Sequence, residues 1–225
     1  MSNKRYNKIL VIGDVHTPFQ DDDLLEQIHD FNRKFKADLV LATGDMLDQK
    51  AFGVYPKSPK DDSPALEFEK ATKACIQIGK MFPKMTILNS NHDRRYLKRI
   101  SEAGIPSKMV KTLKELIPNE GWTWHLGPDP LVINNSIACV HGDELQGRPI
   151  LKAEKLGYNL IQGHTHQASI QYSQTFDKKL WALDAGCVVD AKSAAFDYAS
   201  GYLSKIWTGY GFVENGVPHL VPKKK

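Results

Sequence analysis

The amino-acid sequence predicts an α/β fold with a largely parallel central sheet. Short apolar runs alternate along the chain with longer segments of helical periodicity, which is the pattern of strand–helix–strand units. The length of 225 residues suits one large α/β domain, and the hydrophobic fraction of 41% and charged fraction of 25% are ordinary for a globular protein. We therefore expect residues 1–225 to form a single domain.

Six short apolar runs are the strand candidates. Each contains several aliphatic residues and is bounded by glycine or polar residues, as strands are. They are KILVIG (8–13), DLVLATG (38–44), KMTILN (84–89), SIACVHG (136–142), LIQGH (160–164) and KLWALDAG (179–186). Their alternation with helical segments favours parallel pairing.

Two segments carry the helical pattern most clearly. Residues 21–35 have acids in the first turn and one apolar face, formed by Leu24, Leu25, Ile28 and Phe31. In residues 63–82, Ser63 is the expected N-cap and Pro64 occupies the first helical position. The buried candidates of this second helix are Leu66, Cys75, Ile76 and Ile78.

Two insertions interrupt this alternation. Residues 48–64 contain several prolines and mixed charges, which predicts a surface loop. Residues 94–130 begin with a basic helix and end in GWTWHL, where the alternation of Trp122 and Trp124 favours core or edge packing over base stacking. The glycines and aromatic residues of 201–225 suit closing strands.

The composition indicates a reducing compartment and no membrane span. Three cysteines without a CxxC pair cannot all form disulfides, and no apolar stretch reaches membrane length. The polar N-terminus is not a signal peptide, so we expect a cytoplasmic protein. A net charge of +4 is compatible with an anionic substrate and does not establish nucleic-acid binding.

Polar side chains follow five of the strand candidates, and five of the eight histidines lie there. The carboxyl ends of strands in open α/β sheets are where sites form. The residues are Asp14 and His16, then Asp45, then Asn91, His92 and Asp93, then His141, and finally His164 and His166.

Each of these fragments has a simpler structural interpretation. A lone Gly-Asp pair is usually a turn, Asn91 and Asp93 are possible caps of the following helix, and a lone histidine is usually structural. GHTH is a stronger signal, because alternate strand residues share a face and His164 and His166 can reach one centre. Five such fragments at successive strand ends favour a common site.

The types of residue indicate a class of metal. Imidazoles, carboxylates and one amide without thiolates suit Mn, Fe, Zn, Ni or Co, and there are too many imidazoles for a calcium site. One ion uses three or four protein ligands, so seven candidate ligands indicate two ions that share a carboxylate. Two ions about 3.5–4 Å apart are typical of phosphoester hydrolysis.

The ordered motifs GDVH, GDxxD, SNHD, VHGD and GHTH, over residues 13–166, resemble those of the calcineurin-like metallophosphoesterase superfamily, in its compact bacterial or bacteriophage form. The resemblance implies a four-layer αββα sandwich with a bimetallic site at strand C-terminal ends. It implies that the first ion, preferentially Mn, is held by Asp14, His16, Asp45 and His166. The second ion would be held by Asp45, Asn91, His141 and His164.

The resemblance also implies a mechanism. A metal-bridging hydroxide would attack a phosphomonoester or phosphodiester, with His92 as general acid oriented by Asp93. The substrate would be a nucleotide, a cyclic nucleotide or a nucleic-acid end. Compact members occur in bacteria and bacteriophages, so the expected location is a bacterial or host cytoplasm.

Departures from the family pattern leave alternatives open. Ser90 replaces the usual glycine, and Gln49 stands where the phosphoprotein phosphatase branch has a phosphate-clamping arginine, which argues against that branch. Arg94 and Arg95 are candidate replacements as substrate-binding residues, with a solvated helix face as the equal alternative. A non-catalytic scaffold that binds partner proteins is the remaining alternative, and the presence of every ligand and of His92 argues against it.

Overall fold

The computed structural model describes residues 5–54, 61–174, 177–190, 192–193 and 206–224. Two β-sheets pack face to face, and helices cover their outer sides. This arrangement confirms the predicted α/β class and the four-layer sandwich. The single central sheet expected from the strand alternation is divided into two mixed sheets, each with a parallel centre.

The first sheet has the order β11-β10-β1-β2-β3-β4. Strands β1 to β4 pair in parallel, whereas β10 and β11 add an antiparallel hairpin at the other edge. The strands are β1 (Lys8–Ile12), β2 (Leu39–Ala42), β3 (Met85–Leu88), β4 (Trp122–His125), β10 (Gly209–Glu214) and β11 (Val217–Pro222). The final hairpin agrees with the closing strands expected after residue 201.

The second sheet has the order β5-β6-β7-β9-β8. Its three central strands are parallel, and an antiparallel strand lies at each edge. The strands are β5 (Leu131–Ile133), β6 (Ile137–Cys139), β7 (Asn159–Gln162), β8 (Ala168–Gln174) and β9 (Lys179–Ala185). The edge strands β5 and β8 are absent from the six predicted candidates.

Helices cover both sheets. They are α1 (Asp22–Phe35), α2 (Pro64–Met81), α3 (Arg95–Glu102), α4 (Leu113–Leu116) and α5 (Pro149–Leu156), with 3₁₀ turns at Lys50–Phe52 and Ser107–Met109. The Ser63 hydroxyl accepts from the Leu66 backbone N–H, which confirms the predicted cap of α2. In the described part of the chain, no helix is both long and apolar enough to cross a bilayer.

The buried face of α2 differs in part from the prediction. Cys75 and Ile78 are buried as expected, together with Ala71. Leu66 and Ile76 are 42% and 38% exposed, so their predicted burial is wrong. The reason is helical spacing, because positions 71, 75 and 78 share the face that meets the core while residues 66 and 76 project away from it.

The core is layered around β1. Leu10 and Ile12 face the helices α1 and α2, whereas Ile9 and Val11 face the second sheet. Because alternate residues of β1 face opposite sides and both sides are covered, the whole strand is apolar. This buried strand carries the first polar motif at its carboxyl end.

The two insertions contain regular structure. The segment 94–130 supplies α3, α4 and the edge strand β4, where Trp122 is buried and donates from its indole nitrogen to the Phe82 carbonyl at 2.9 Å. Trp124 also packs against the core, as predicted. Within 48–64, a 3₁₀ turn precedes residues 55–60, which lie outside the described residues.

Candidate metal centre and adjoining groove

The structure brings all seven predicted ligand side chains together. They lie on the loops that follow parallel strands of both sheets, so the two sheets contribute to one site. Asp14 and His16 follow β1, Asp45 follows β2, Asn91 follows β3, His141 follows β6, and His164 and His166 follow β7.

One group of ligand atoms matches the residues predicted for the first ion. Atoms of Asp14, His16, Asp45 and His166 all lie within 4.8 Å of one another. The Nε2 atoms of His16 and His166 are 3.0 Å apart, and His166 Nε2 is 3.2 Å from a carboxylate oxygen of Asp14. Two ring nitrogens and two carboxylates therefore point at one small volume.

A second group matches the residues predicted for the second ion. Atoms of Asp45, His141 and His164 lie within 4.8 Å of one another, and Asn91 Oδ1 is 2.9 Å from His141 Nε2. Asp45 Oδ2 lies 3.4 Å from Nε2 of both His16 and His141. Asp45 therefore stands between the two groups, where a bridging carboxylate is expected. Ion binding itself stays a prediction.

Four of the predicted ligands have a left-handed backbone. The φ angles are 52° at His16, 48° at Asp45, 72° at His164 and 54° at His166. Non-glycine residues seldom adopt positive φ, and such conformations persist where the surrounding structure imposes them, often at functional sites. These turns hold the side chains in orientations that an ordinary strand end would not provide.

Glycines next to the ligands allow the loops to approach closely. At Gly44 (φ 108°), an added Cβ would lie 2.7 Å from Ser90 Cβ and 2.9 Å from His141 Nδ1. At Gly163, an added Cβ would clash with the Asp14 carboxylate and the Thr43 hydroxyl. The glycines of the Gly-Asp and Gly-His pairs therefore serve the site as well as the turns.

The electrostatics of the site fit a divalent cation. Asp14 and Asp45 are fully buried, which by itself raises the pKa of a carboxyl, yet the surrounding histidines lower the pKa of both. Burial lowers the pKa of His141, but Asp45 and Asp14 outweigh it and raise that pKa to about 10. Among the described residues, every ion-pair partner of the two aspartates is an imidazole. This thiolate-free donor set suits the predicted metals.

A backbone carbonyl and a carboxylate fix two of the histidine rings. His141 Nδ1 donates to the Thr43 carbonyl at 2.9 Å, which leaves Nε2 to face Asp45. His16 Nδ1 donates to Asp48 Oδ1 at 2.7 Å, which leaves Nε2 to face the first group. Such outer partners set the tautomer and orientation of metal-binding histidines.

Asp48 is a site residue that sequence reasoning missed. It is buried, and it lies with His16 and His92 in a third group of potential ligand atoms within 4.8 Å. Burial opposes its ionisation, but hydrogen bonds from the two histidines hold its pKa well below the usual range. The signal was the second acid in GDMLD, three residues after Asp45.

His92 lies beside both groups. Its backbone N–H donates to Asp45 Oδ1 at 3.1 Å, and its Nδ1 donates to the Asp48 carbonyl at 2.7 Å. Its Nε2 accepts from Arg95 Nη2 at 2.7 Å. Burial lowers the pKa of His92, but Asp45 and Asp48 outweigh it and raise that pKa.

Asp93 does not orient His92, which corrects that prediction. Its carboxylate accepts from the backbone N–H groups of Met46 (3.2 Å) and Leu47 (2.9 Å) and from the Ser90 hydroxyl (2.7 Å). Adjacent side chains in a helical turn point in different directions, so Asp93 faces the 46–47 loop while His92 faces the centre. Burial and the charge of Asp45 raise the pKa of Asp93 to about 6.

The capping interpretation of Asn91 and Asp93 is also wrong. Helix α3 begins at Arg95, and its N-cap, Arg94, makes no side-chain capping bond. Asn91 faces His141, and Asp93 ties the loop after β2 to the loop after β3. Both side chains belong to the organisation of the site.

The two predicted substrate-binding arginines have different surroundings. Arg94 is paired with Asp143 (2.6 Å) and Glu144 (3.1 Å). Arg95 donates to the Asp48 carbonyl at 2.9 Å and to His92. Arg95 therefore points towards the centre, whereas two carboxylates already engage Arg94.

An open groove adjoins the centre at Asn91. Its volume is about 560 Å³, and basic and apolar side chains line it. The lining includes Phe52, Val54, Arg95, Leu97, Lys98 and Arg99. A smaller pocket of about 150 Å³ reaches His141 and contains Asp129, Asp143 and Glu144. Positive charge is thus concentrated in the groove and negative charge in the smaller pocket.

Comparisons with known proteins give one family and several distant relatives. A family model described as calcineurin-like phosphoesterase matches residues 7–186. The chain is 23% identical to the Gene 54 protein of Mycobacterium phage D29, over 96% of this chain and 92% of that protein.

Solved structures are also similar to this fold. A structure described as a novel archaeal phosphodiesterase is 14% identical in sequence and has a TM-score of 0.50. The match covers 96% of this chain and 99% of that chain. Vacuolar Protein Sorting 29 from Cryptosporidium parvum is 14% identical, covers 98% of each chain, and has a TM-score of 0.49. At these identities the similarity concerns the fold alone.

Proposed function

Because this chain belongs to the calcineurin-like phosphoesterase family, we propose that it is a dinuclear metal-dependent hydrolase of phosphomonoesters or phosphodiesters. The family supports metal-dependent phosphoesterase activity. The observation that carries the finer proposal is the pair of ligand groups that share the buried Asp45. Shared carboxylates are typical of two-metal hydrolytic sites.

The residues that would hold the ions are those of the two groups. Asp14, His16, Asp45 and His166 would bind the first ion, and the second would use Asp45, Asn91, His141 and His164. Mn²⁺ is the preferred metal, with Fe, Zn, Ni and Co as alternatives. When bound, the ions would neutralise phosphoryl oxygens and activate the attacking water.

His92 is the proposed general acid. The Asp48 carbonyl holds its Nδ1, so Nε2 is the nitrogen available to a leaving oxygen. A guanidinium only donates hydrogen bonds, so Nε2 carries no proton while Arg95 contacts it. A phosphate in the groove would accept the Arg95 hydrogen bonds instead, which would free Nε2 to carry and deliver a proton.

A nucleotide, a cyclic nucleotide or a nucleic-acid end is the proposed substrate class. The groove supports it because Arg95, Lys98 and Arg99 offer positive charge beyond the centre, and Phe52 and Leu97 offer apolar surface. Phosphate oxygens and base faces use these two kinds of contact. Arg94, paired with two acids, is the weaker of the two candidate substrate-binding arginines.

The alternatives receive less support. In a phosphoprotein phosphatase, residue 49 would be the phosphate clamp, but Gln49 is buried and uses its side chain to bind Tyr96 and Asp93 backbone groups. In a non-catalytic scaffold, the ligand set or His92 would be incomplete. Here all of these side chains converge.

We also propose that residues 1–225 form a single catalytic domain. The support is that the first sheet includes both the first and the last described strands, β1 and β11, so segments from both ends of the described chain share one sheet. The proposed location is a bacterial or host cytoplasm, and a relative from Mycobacterium phage D29 is compatible with it.

The function is tested by a side-by-side assay with Mn²⁺. The substrates are an aryl phosphomonoester, an aryl phosphodiester, a cyclic dinucleotide and single-stranded DNA, and His92→Ala is assayed in parallel to identify contaminating activity. We expect hydrolysis of at least one ester and a lower rate in the variant. Absence of hydrolysis across all four substrates would favour the scaffold.

A further inference from the structure

A buried polar cluster lies behind the histidine loops of the second sheet. Gln162 ends β7, Asp184 lies near the end of β9, and Lys152 lies on α5, and all three are buried. Leu160 lies two residues before Gln162, and Ala182 lies two residues before Asp184. Both pack against Ala153 of α5. Alternate strand residues share a face, so Gln162 and Asp184 lie under α5, on the outer side of the sheet. None of the three belongs to the predicted ligand set.

Asp184 holds the turn that carries two of the histidines. Its Oδ2 accepts from the Thr165 hydroxyl and from Gln162 Nε2, both at 2.8 Å. Thr165 stands between His164 and His166, and its own hydroxyl accepts from the Gln167 backbone N–H at 3.1 Å. Both histidines have a left-handed backbone conformation, which the surrounding contacts must maintain.

Lys152 holds the neighbouring loop. Its Nζ donates to the Gly142 carbonyl at 2.9 Å, directly after His141. The Gly163 N–H donates to the His141 carbonyl at 3.0 Å, so the two histidine loops are also bonded to each other. Burial lowers the pKa of Lys152 more than the nearby Asp184 raises it.

Burying ionisable groups is costly, and burial raises the pKa of Asp184 to about 7. Lys152 is only 4% exposed and Asp184 only 2% exposed. Buried charged groups often stabilise a fold less than apolar residues of the same size would. Their contacts lead to backbone groups and hydroxyls of the loops that carry His141, His164 and His166.

We propose that Asp184 and Lys152 are positioning residues that preorganise these three imidazoles for metal binding. The inference rests on the proposed metal-dependent function. Asp184 acts through Thr165, and Lys152 acts through the Gly142 carbonyl. Partners outside the ligand set commonly contribute about 10–100-fold to metal affinity by fixing ligand orientation.

The test measures Mn²⁺ affinity by calorimetric titration, and Tm of the metal-free protein, for the full chain and its variants. Thr165→Val removes the hydroxyl at nearly constant volume, whereas Thr165→Ser keeps the hydroxyl. We expect the valine variant to lose about 10–100-fold in Mn²⁺ affinity and the serine variant to recover most of that loss. Lys152→Met, which keeps the length of the side chain, should also weaken binding.

Thr72→Val is the matched control, because Thr72 lies on α2 away from the centre and its hydroxyl has no hydrogen-bond partner among the described residues. Its Mn²⁺ affinity should equal that of the parent protein. If Thr165→Val and Lys152→Met bind Mn²⁺ as tightly as the parent and only lower the metal-free Tm, the positioning role is wrong. A parent protein that binds Mn²⁺ and hydrolyses no ester would contradict the proposed function alone.

Discussion

The metal centre and the adjoining groove present charge in different ways. In the centre, most of the titratable side chains are buried, whereas His164 is exposed and His166 is half-buried. Hydrogen bonds from several loops fix the buried ones. In the groove, Arg99 and Lys98 are exposed, and Arg99 contacts the carbonyls of Phe52 and Gly53 and the carboxylate of Glu102. On the proposed function, we expect the centre to determine the reaction and the groove to select the substrate.

The two regions also differ in how much each charge contributes. Charge interactions are strong where water is excluded, whereas an exposed ion pair is worth only about 0–1 kcal/mol. Single substitutions in the centre should therefore change the rate by orders of magnitude. Substitutions in the groove should change substrate affinity by smaller factors. The size of each change should depend on the partners that the side chain already has.

Asp45→Asn should have the largest effect. Asp45 stands between the two ligand groups, and its loss should disrupt both. Metal ions supply several kcal/mol of transition-state stabilisation, so turnover should fall by at least about 10³-fold. Steady-state hydrolysis of an aryl phosphate measures this, with the exposed Asp30→Asn as control. Substantial activity in Asp45→Asn would contradict the shared-carboxylate centre.

His92→Ala should lower kcat and leave metal content unchanged. General acid catalysis contributes roughly 10²–10⁴-fold, and more for alkyl leaving groups than for aryl ones, because an alkoxide needs a proton. Comparison of the two leaving groups, with metal analysis of the same samples, checks this. His29→Ala on α1 is the control. An equal loss for both leaving groups would exclude the acid role.

Arg95→Met should reduce kcat/KM more than Arg94→Met. A hydrogen bond to a charged group is worth about 1.5–3 kcal/mol, which corresponds to roughly 10–100-fold for Arg95. Asp143 and Glu144 already engage Arg94, so its loss should cost less than about fivefold. Equal effects in kinetic assays would mean that the surroundings of the two arginines do not determine substrate binding.

Metal affinity should rise with pH, by about tenfold per unit for each proton displaced. His141 has a pKa of about 10 in the metal-free protein, against an ordinary value of 6.5, so a metal must displace its proton near neutral pH. Because the folded protein raises this pKa, protonated His141 stabilises the metal-free fold. This stabilisation is complete below about pH 6.5 and is lost as pH rises through about 10. Metal-free Tm and Mn²⁺ affinity should therefore change in opposite directions between these values. A Mn²⁺ affinity that does not change with pH would contradict the displacement of a proton from His141.

The sequence predicted the elements that are buried on both faces. Strands β1, β2, β3, β6, β7 and β9 are mostly apolar runs and were all identified. The edge strands β5 and β8 were not identified, because β5 has only three residues and β8 mixes polar and apolar residues along a half-exposed strand. Ligand positions could be predicted because strand ends meet at one edge of a sheet.

Side-chain direction could not be predicted from the sequence. Asp48 and Asp93 are both acids near the predicted centre, yet the fold points Asp48 at the histidines and Asp93 at a neighbouring loop. Arg94 and Arg95 are adjacent and diverge for the same reason. Contacts from distant segments determine these directions, and no local pattern records them.

The most direct test of the central claim combines metal content with hydrolysis in one titration. Protein stripped of metal by a chelator is titrated with Mn²⁺, while bound ions per chain and turnover of an aryl phosphate ester are measured together. We predict two ions per chain and no turnover before metal is added, with turnover rising as the ions bind. Full turnover in the stripped protein, or a saturated and active protein holding a single ion, would contradict the two-metal account.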